Sequence, residues 1–255
     1  MQKDDKEIVI EVKDLTIGYK DFIVLDKLNF SVKKGEIFVI LGGSGCGKST
    51  TLKHMIGLFE PLKGDILIND KSIVNSSEKE KDEMFLDFGV LYQSGALFSS
   101  MTLAENVAMP LKEFTDLSQK TIDGITKMKL SLVGLAGFEN FSPSEISGGM
   151  KKRAGLARAM ALDPQILFFD EPSAGLDPIS SAELDRLLLE LRDSLGCTMV
   201  IVTHELDSIF TVADRVIILD KKIKGIIEEG DPRLLKRNSK NKWVKEFLNR
   251  SNLRG

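Results

Sequence analysis

Apolar residues fall into short blocks separated by polar turns, and six of these blocks read as strands: residues 7–12, 36–42, 64–70, 165–171, 198–204 and 214–220. Within three of them the apolar run is nearly continuous, over 37–41, 166–169 and 199–202. A strand with one wet face alternates, whereas a strand covered on both faces reads as an unbroken apolar run, so these three predict a parallel sheet with layers on either side. Helical periodicity lies between the strands. Behind Asp177, Pro178 suits a first helical position, Leu184, Leu187, Leu188, Leu191 and Leu195 recur at spacings of three and four, and Gly196 supplies the stop. A shorter helical pattern covers 48–56 and ends at Gly57. From about Met101 to Ala161 there are helical signals and no strong strand signal, which predicts a helical lobe (about residues 95–162) inserted into the α/β core. Residues 69–87 are polar and read as a surface connection. Near the end, Trp243, Val244, Phe247 and Leu248 keep helical spacing.

Composition narrows the class. The 255 residues are 42% hydrophobic and 29% charged, with a net charge of −3, an ordinary globular balance. No apolar run approaches the roughly 20 residues of a membrane span, and MQKDDKEIVI lacks the apolar core of a signal peptide. Two cysteines, Cys46 and Cys197, give no disulfide framework, and with two histidines they give no zinc spacing. The expectation is a chain in a reducing, cytoplasmic compartment. Charge is uneven: residues 231–255 hold eight Lys or Arg against two acids. This basic tail can pack on its own chain, grip a partner, or touch anionic headgroups. The net charge of −3, with no overall basic field, argues against nucleic acid as a partner.

The strongest chemical signal is Gly42, Gly43, Ser44, Gly45, Cys46, Gly47, Lys48 and Ser49, followed by Thr50. It matches G-x-x-x-x-G-K-[ST] between an apolar strand and a helix, the context that motif needs. Glycines let successive N–H groups turn around an anion, the helix N-terminus points at the same place, Lys48 brings charge to the β/γ-phosphates, and the Ser49 hydroxyl can serve Mg²⁺. A second strand ends in Asp170 and Glu171. Asp170 is suited to Mg²⁺. Glu171, one residue on in an extended chain, points the other way and can polarise a water. The alternative is a capped strand end. His204 ends a third strand, where an imidazole can contact a γ-phosphate oxygen or act as a structural cap. His54 reads as a packed or surface residue. Ser147, Gly148 and Gly149 open a helix with bare N–H groups.

In order and spacing, residues 42–49, Gln93, Ser147–Gly149, Asp170–Glu171, residues 174–177 and His204 resemble the ABC transporter ATPases over roughly residues 7–230. The resemblance implies a RecA-like P-loop core with an antiparallel β edge and a helical signature lobe. The chain is expected to divide into an ATPase domain over residues 1–230 and, from its charge and helical spacing, a basic helical tail over 231–255. A head-to-tail dimer would sandwich two ATP molecules, with Ser147–Gly149 of one copy closing on the nucleotide held by Lys48 of the other. Tyr19 would stack on adenine, Gln93 would join Mg²⁺ and the attacking water to the helical lobe, and Asp177 would link the two sites. The signature departs from the usual pattern at Ile146 and Met150, where Leu and Gln are common.

Residues 93–98, 106–108, 110–111, the Met150 signature and residues 170–187 are similar to the Mla/Mce-type phospholipid-transport ATPases. That branch implies ATP and Mg²⁺ as cofactors and an integral-membrane permease dimer. It further implies an MCE lipid-binding protein, in some members a STAS-type protein, and a peripheral place on the cytoplasmic face of the inner membrane. Leu97, Phe98, Met101, Leu103 and Met109 are candidates for the permease-docking surface, or else lobe core. An importer of amino acids or metal, a non-transport ABC ATPase and a P-loop kinase are the competing readings. The last leaves Ser147–Gly149 and Glu171 without a purpose.

Overall fold

The computed structural model describes residues 7–19 and 22–249. In chain order its elements are β1 (Ile8–Tyr19), β2 (Phe22–Lys33), β3 (Ile37–Gly42), α1 (Lys48–Met55), β4 (Lys63–Ile68), β5 (Lys71–Ser72), α2 (Glu78–Phe85) and β6 (Phe88–Leu91). Next come α3 (Leu103–Phe114), α4 (Gln119–Leu132), α5 (Gly148–Ala159), β7 (Ile166–Asp170), α6 (Pro178–Leu195), β8 (Thr198–Val202), α7 (Leu206–Val212), β9 (Arg215–Asp220), β10 (Gly225–Gly230), α8 (Pro232–Asn238) and α9 (Lys242–Asn249).

Two sheets form. One has the order β2-β1-β4-β5 and its pairs are antiparallel. The other has the order β10-β9-β3-β8-β7-β6, parallel except for β10 at its edge. The unbroken apolar strands lie in the middle of the second sheet, and their side chains divide by parity. Ile37, Val39 and Leu41 of β3 join Leu167 and Phe169 of β7 and Met199 and Ile201 of β8 in one core. Phe38 and Ile40, with Ile166, Phe168, Val200 and Val202, enter the other. The first core is roofed by α3–α7 and α9, the second by α1 and the antiparallel sheet. Phe38 joins the two sheets by stacking on Phe30 at 5.5 Å. Each fully buried side chain of this size contributes roughly 1.5–3 kcal/mol, so the three double-faced strands anchor the fold.

The helix following Asp177 forms as its pattern predicts. Asp177 caps it by accepting from the N–H groups of Ile179 and Ser180, and Gly196 closes it in the left-handed conformation. Residues 69–87 hold more than a connection: α2 forms there, fixed by a capping box between Ser77 and Glu80. In the tail, Val244 and Leu248 are buried in the first core, while Trp243 and Phe247 stack at 5.0 Å and pack against it. Of the three readings of the tail, packing on its own chain is therefore realised over the described residues. No helix among the described residues is long and apolar enough to cross a membrane.

Candidate functional site

Strand register brings the chemical residues to one end of the parallel sheet. Ile40 of β3 and Asp170 of β7 both lie beside Val202 of β8, and Leu91 of β6 lies beside Phe169. The loops leaving these carboxyl ends carry Gly43–Ser49, Gln93, Glu171 and His204, which is where open α/β sheets place their ligands. Gly42, Gly43, Ser44, Gly45, Lys48 and Ser49 line a cavity of about 640 Å³. Across it stand Gln93, Glu171 and His204, together with Glu205, Leu206, Asp207 and Phe247.

The loop's glycines are required by its geometry. Gly45 and Gly47 have φ of +71° and +101°, and a Cβ on Gly47 would lie 2.7 Å from Leu25. Lys48 is buried, and its ammonium donates to the carbonyls of Gly42 at 3.0 Å and Gly43 at 3.3 Å. The Ser49 hydroxyl donates to Asp170 Oδ1 at 2.8 Å. Cys46 is buried behind the loop, and burial pushes its thiol above the ordinary value, so it is no ready nucleophile. Cys46, Gly47 and Thr50 support the loop without lining the cavity. The Thr50 carbonyl accepts from His54 Nδ1 at 2.7 Å, and burial holds that imidazole below its usual value, which fits the packed reading of His54.

Glu171 differs from the extended-chain expectation. Its φ is +49°, so the chain leaves β7 in a left-handed turn and the carboxylate swings into the cavity. There His204 Nδ1 lies 2.9 Å from both carboxylate oxygens. An ionised carboxylate only accepts, so this geometry puts a ring proton on Nδ1, while Nε2 lies 3.6 Å from Glu205 Oε1.

Five sequence candidates lie elsewhere. Tyr19 is exposed at the end of β1 and does not line the cavity. Ser147 caps α5 by accepting from the Met150 N–H at 3.2 Å; it and Gly148 are exposed, Gly149 is half-buried, and none of the three lines the cavity. The Asp177 carboxylate is engaged by the α6 N-terminus and by the Ser180 hydroxyl at 2.6 Å. Among the docking candidates, Leu103 is fully buried and Leu97 packs on the core, so these two are lobe core, whereas Phe98 is exposed.

Three further residues organise the site. Arg158 of α5 donates to the carbonyls of Ala96 at 2.7 Å and Gly95 at 3.2 Å and lies over the Phe98 ring. A Cβ on Gly155 would come within 2.8 Å of the Gly95 carbonyl, so the segment after Gln93 lies directly on α5. Asn106, fully buried, accepts from the Phe98 N–H at 2.7 Å and donates to the carbonyls of Phe98 and Thr102. Lys152 is buried and donates to the Glu171 carbonyl at 3.2 Å. Burial pushes its ammonium below the ordinary lysine value, against the opposing pull of Glu171 and Asp170. The signal for such inward cations is a helix buried on most sides: α5 carries Ala154, Gly155 and Ala157, small residues that admit close neighbours.

Comparison with known proteins matches this geometry. Residues 25–174 match the ABC transporter family. The chain is 43% identical over 241 residues to the intermembrane phospholipid transport system ATP-binding protein MlaF of Haemophilus influenzae, covering 94% of this chain and 90% of that protein. It is 44% identical over 242 residues to the probable ribonucleotide transport ATP-binding protein mkl of Mycobacterium leprae, covering 95% and 69%. Among solved structures, cbiO1 from Clostridium perfringens, part of an ABC transporter complex, superimposes with a TM-score of 0.84 at 29% identity, covering 98% of this chain and 96% of that one. The dimeric post-hydrolysis ATP-binding cassette MJ0796, bound to ADP and Pi, gives 0.79 at 29% identity, covering 87% and 98%. With its phosphate loop, its acidic strand end and its histidine assembled on one cavity, the chain belongs to the ABC transporter ATP-binding family and is an ATPase.

Proposed function

We propose that this ATPase energises a phospholipid transporter working between two membranes, as a head-to-tail pair of copies seated on a permease dimer. The convergence of Lys48, Gln93, Glu171 and His204 on one cavity carries the hydrolytic part of this reading. The cargo rests on the match to MlaF, which spans nine-tenths of that protein, and on the Met150 signature.

In this reading the loop from Gly42 to Thr50 holds the triphosphate, Tyr19 meets the adenine, and Ser147–Gly149 of the other copy close over the γ-phosphate. Asp177 faces that copy from the start of α6. Residues 95–162 act as the lobe that moves with nucleotide. Ser49, Asp170 and Gln93 are the Mg²⁺ set. The Ser49 hydroxyl and Asp170 carboxylate already adjoin, and these hard oxygen donors suit the ion, which also draws on phosphate oxygens. Mg²⁺ would neutralise charge on the transferring phosphoryl group. Glu171 orients and deprotonates the attacking water, and His204 holds that carboxylate through Nδ1 and, with both ring nitrogens protonated, would donate from Nε2 to the γ-phosphate.

Phe98 projects from the segment that Arg158 and Asn106 stiffen, and it marks the permease-docking surface. A cysteine at this position, introduced by Phe98→Cys, is expected to crosslink to a permease loop in the assembled complex, with the yield changing when ATP is added. A reactive thiol that captures no permease would remove Phe98 from that surface. The MCE protein and a STAS-type protein complete the assembly, at the cytoplasmic face of the inner membrane.

The similarity to mkl favours a second cargo, a ribonucleotide. Purification with the native membrane partners separates the two readings. Co-purified phospholipid in near-stoichiometric amount is expected. A lipid-free complex that moves ribonucleotide across reconstituted vesicles would overturn the phospholipid reading.

A further inference from the structure

Glu171 holds a backbone conformation that its residue type disfavours. Main-chain contacts keep it there. Its N–H donates to the Val202 carbonyl at 2.8 Å, which ties the turn to the end of β8. Its carbonyl accepts from the Ala174 N–H at 3.2 Å, within the turn, and from Lys152 Nζ at 3.2 Å. Two residues on, the Ser173 hydroxyl is buried without a hydrogen-bond partner among the described residues, so it is not seen to add to the turn's hold.

Lys152 is the side chain that reaches this stretch of main chain from another element. It is 6% exposed, and a lysine is almost never so buried unless it is paired, because taking an ammonium out of water is costly. A methionine would fill the same length without that cost. What the ammonium supplies in return is concentrated at one place: a charge-assisted hydrogen bond to the Glu171 carbonyl, beside two carboxylates that favour its charged form. The same helix begins with Ser147 and Gly148 on the surface, about one turn from Lys152. One rigid element therefore carries both the outward-facing signature and the inward-facing ammonium.

We propose that Lys152 is a positioning residue for ATP hydrolysis: it ties the signature helix to the main chain of Glu171 and so fixes where the Glu171 carboxylate meets the attacking water. This rests on the reading of Glu171 as the water-activating group. It makes the position of α5, and hence engagement of Ser147–Gly149 by another copy, felt at the chain's own carboxylate.

The test uses the full-length chain with Lys152→Met, Lys152→Arg, Glu171→Gln and the double variant Lys152→Met/Glu171→Gln. Lys152→Met is expected to lower kcat by about tenfold or more while ATP affinity stays within about twofold, since loss of positioning acts on the reacting geometry and not on binding. Lys152→Arg, which keeps the charge and the donors, is expected to recover most of the loss. Because Lys152 acts through Glu171, adding Lys152→Met to Glu171→Gln should leave the residual rate unchanged. A wild-type kcat in Lys152→Met, an equal defect in Lys152→Arg, or a full additive loss in the double variant would each overturn the proposal. Should Lys152→Met fail to fold by circular dichroism, Lys152→Gln takes its place in the same comparison. Wild-type turnover in Glu171→Gln would instead remove the role of Glu171, a separate outcome.

Discussion

Glu171→Gln is expected to bind ATP as tightly as the wild-type chain and to hydrolyse it about 10²- to 10⁴-fold more slowly, the range that a positioned general base contributes. The substitution keeps the shape of the side chain, and the amide oxygen can still accept from His204 Nδ1. The turn persists as well, because it is held by the main-chain bonds to Val202 and Ala174 and by Lys152. What disappears is a carboxylate that can take a proton, and with it one of the two oxygens that both lie 2.9 Å from the imidazole. The phosphate loop stands across the cavity and is untouched, so affinity and turnover should separate. Nucleotide affinity read by fluorescence titration and phosphate release read at steady state give the two numbers independently. A variant releasing phosphate at the wild-type rate would place water activation on some other group.

The contrast between what this sequence discloses and what it hides has a physical pattern. β3, β7 and β8 were legible because each is covered on both faces, and parity sends alternate residues into two separate cores. β2 and β6 were not. A third of β2 is exposed, which breaks the apolar run, and β6 is four residues with Gly89 at its centre, where a Cβ would collide with the Ala159 carbonyl. α2 lacks an apolar stripe, since only Met84 is buried, and its signal lay in the Ser77–Glu80 capping box.

The site divides in the same way. Lys48, Ser49, Asp170 and His204 announce themselves because polar residues at the carboxyl ends of buried strands, or in a glycine-rich loop beside one, have few structural uses. Lys152, Arg158 and Asn106 do not, because their partners are main-chain groups at distant or irregular positions, and almost any residue type supplies those. The left-handed turn at Glu171 was equally unreadable: glutamate has no preference for it, and tertiary contacts impose it.

Lys48→Ala should fail at the opposite step, losing ATP affinity by roughly 30-fold to several thousand-fold, the loss that follows when one partner of a buried, hydrogen-bonded charge pair is truncated. The ammonium is buried within the loop and reaches the carbonyls of Gly42 and Gly43, so it sits where a phosphate chain cradled by the loop must pass. Without it, the amides and the α1 dipole face several phosphate charges with no full positive charge on the loop. Folding should survive: alanine is the best helix former and Lys48 is the first residue of α1. Titration of ATP binding beside a thermal melt distinguishes the two effects. Paired with Glu171→Gln, the result dissects the cavity wall by wall, because one variant should bind without turning over and the other should fail to bind. Undiminished affinity in Lys48→Ala, with an intact melt, would mean that the amides alone hold the nucleotide and that the lysine serves only to brace its own loop.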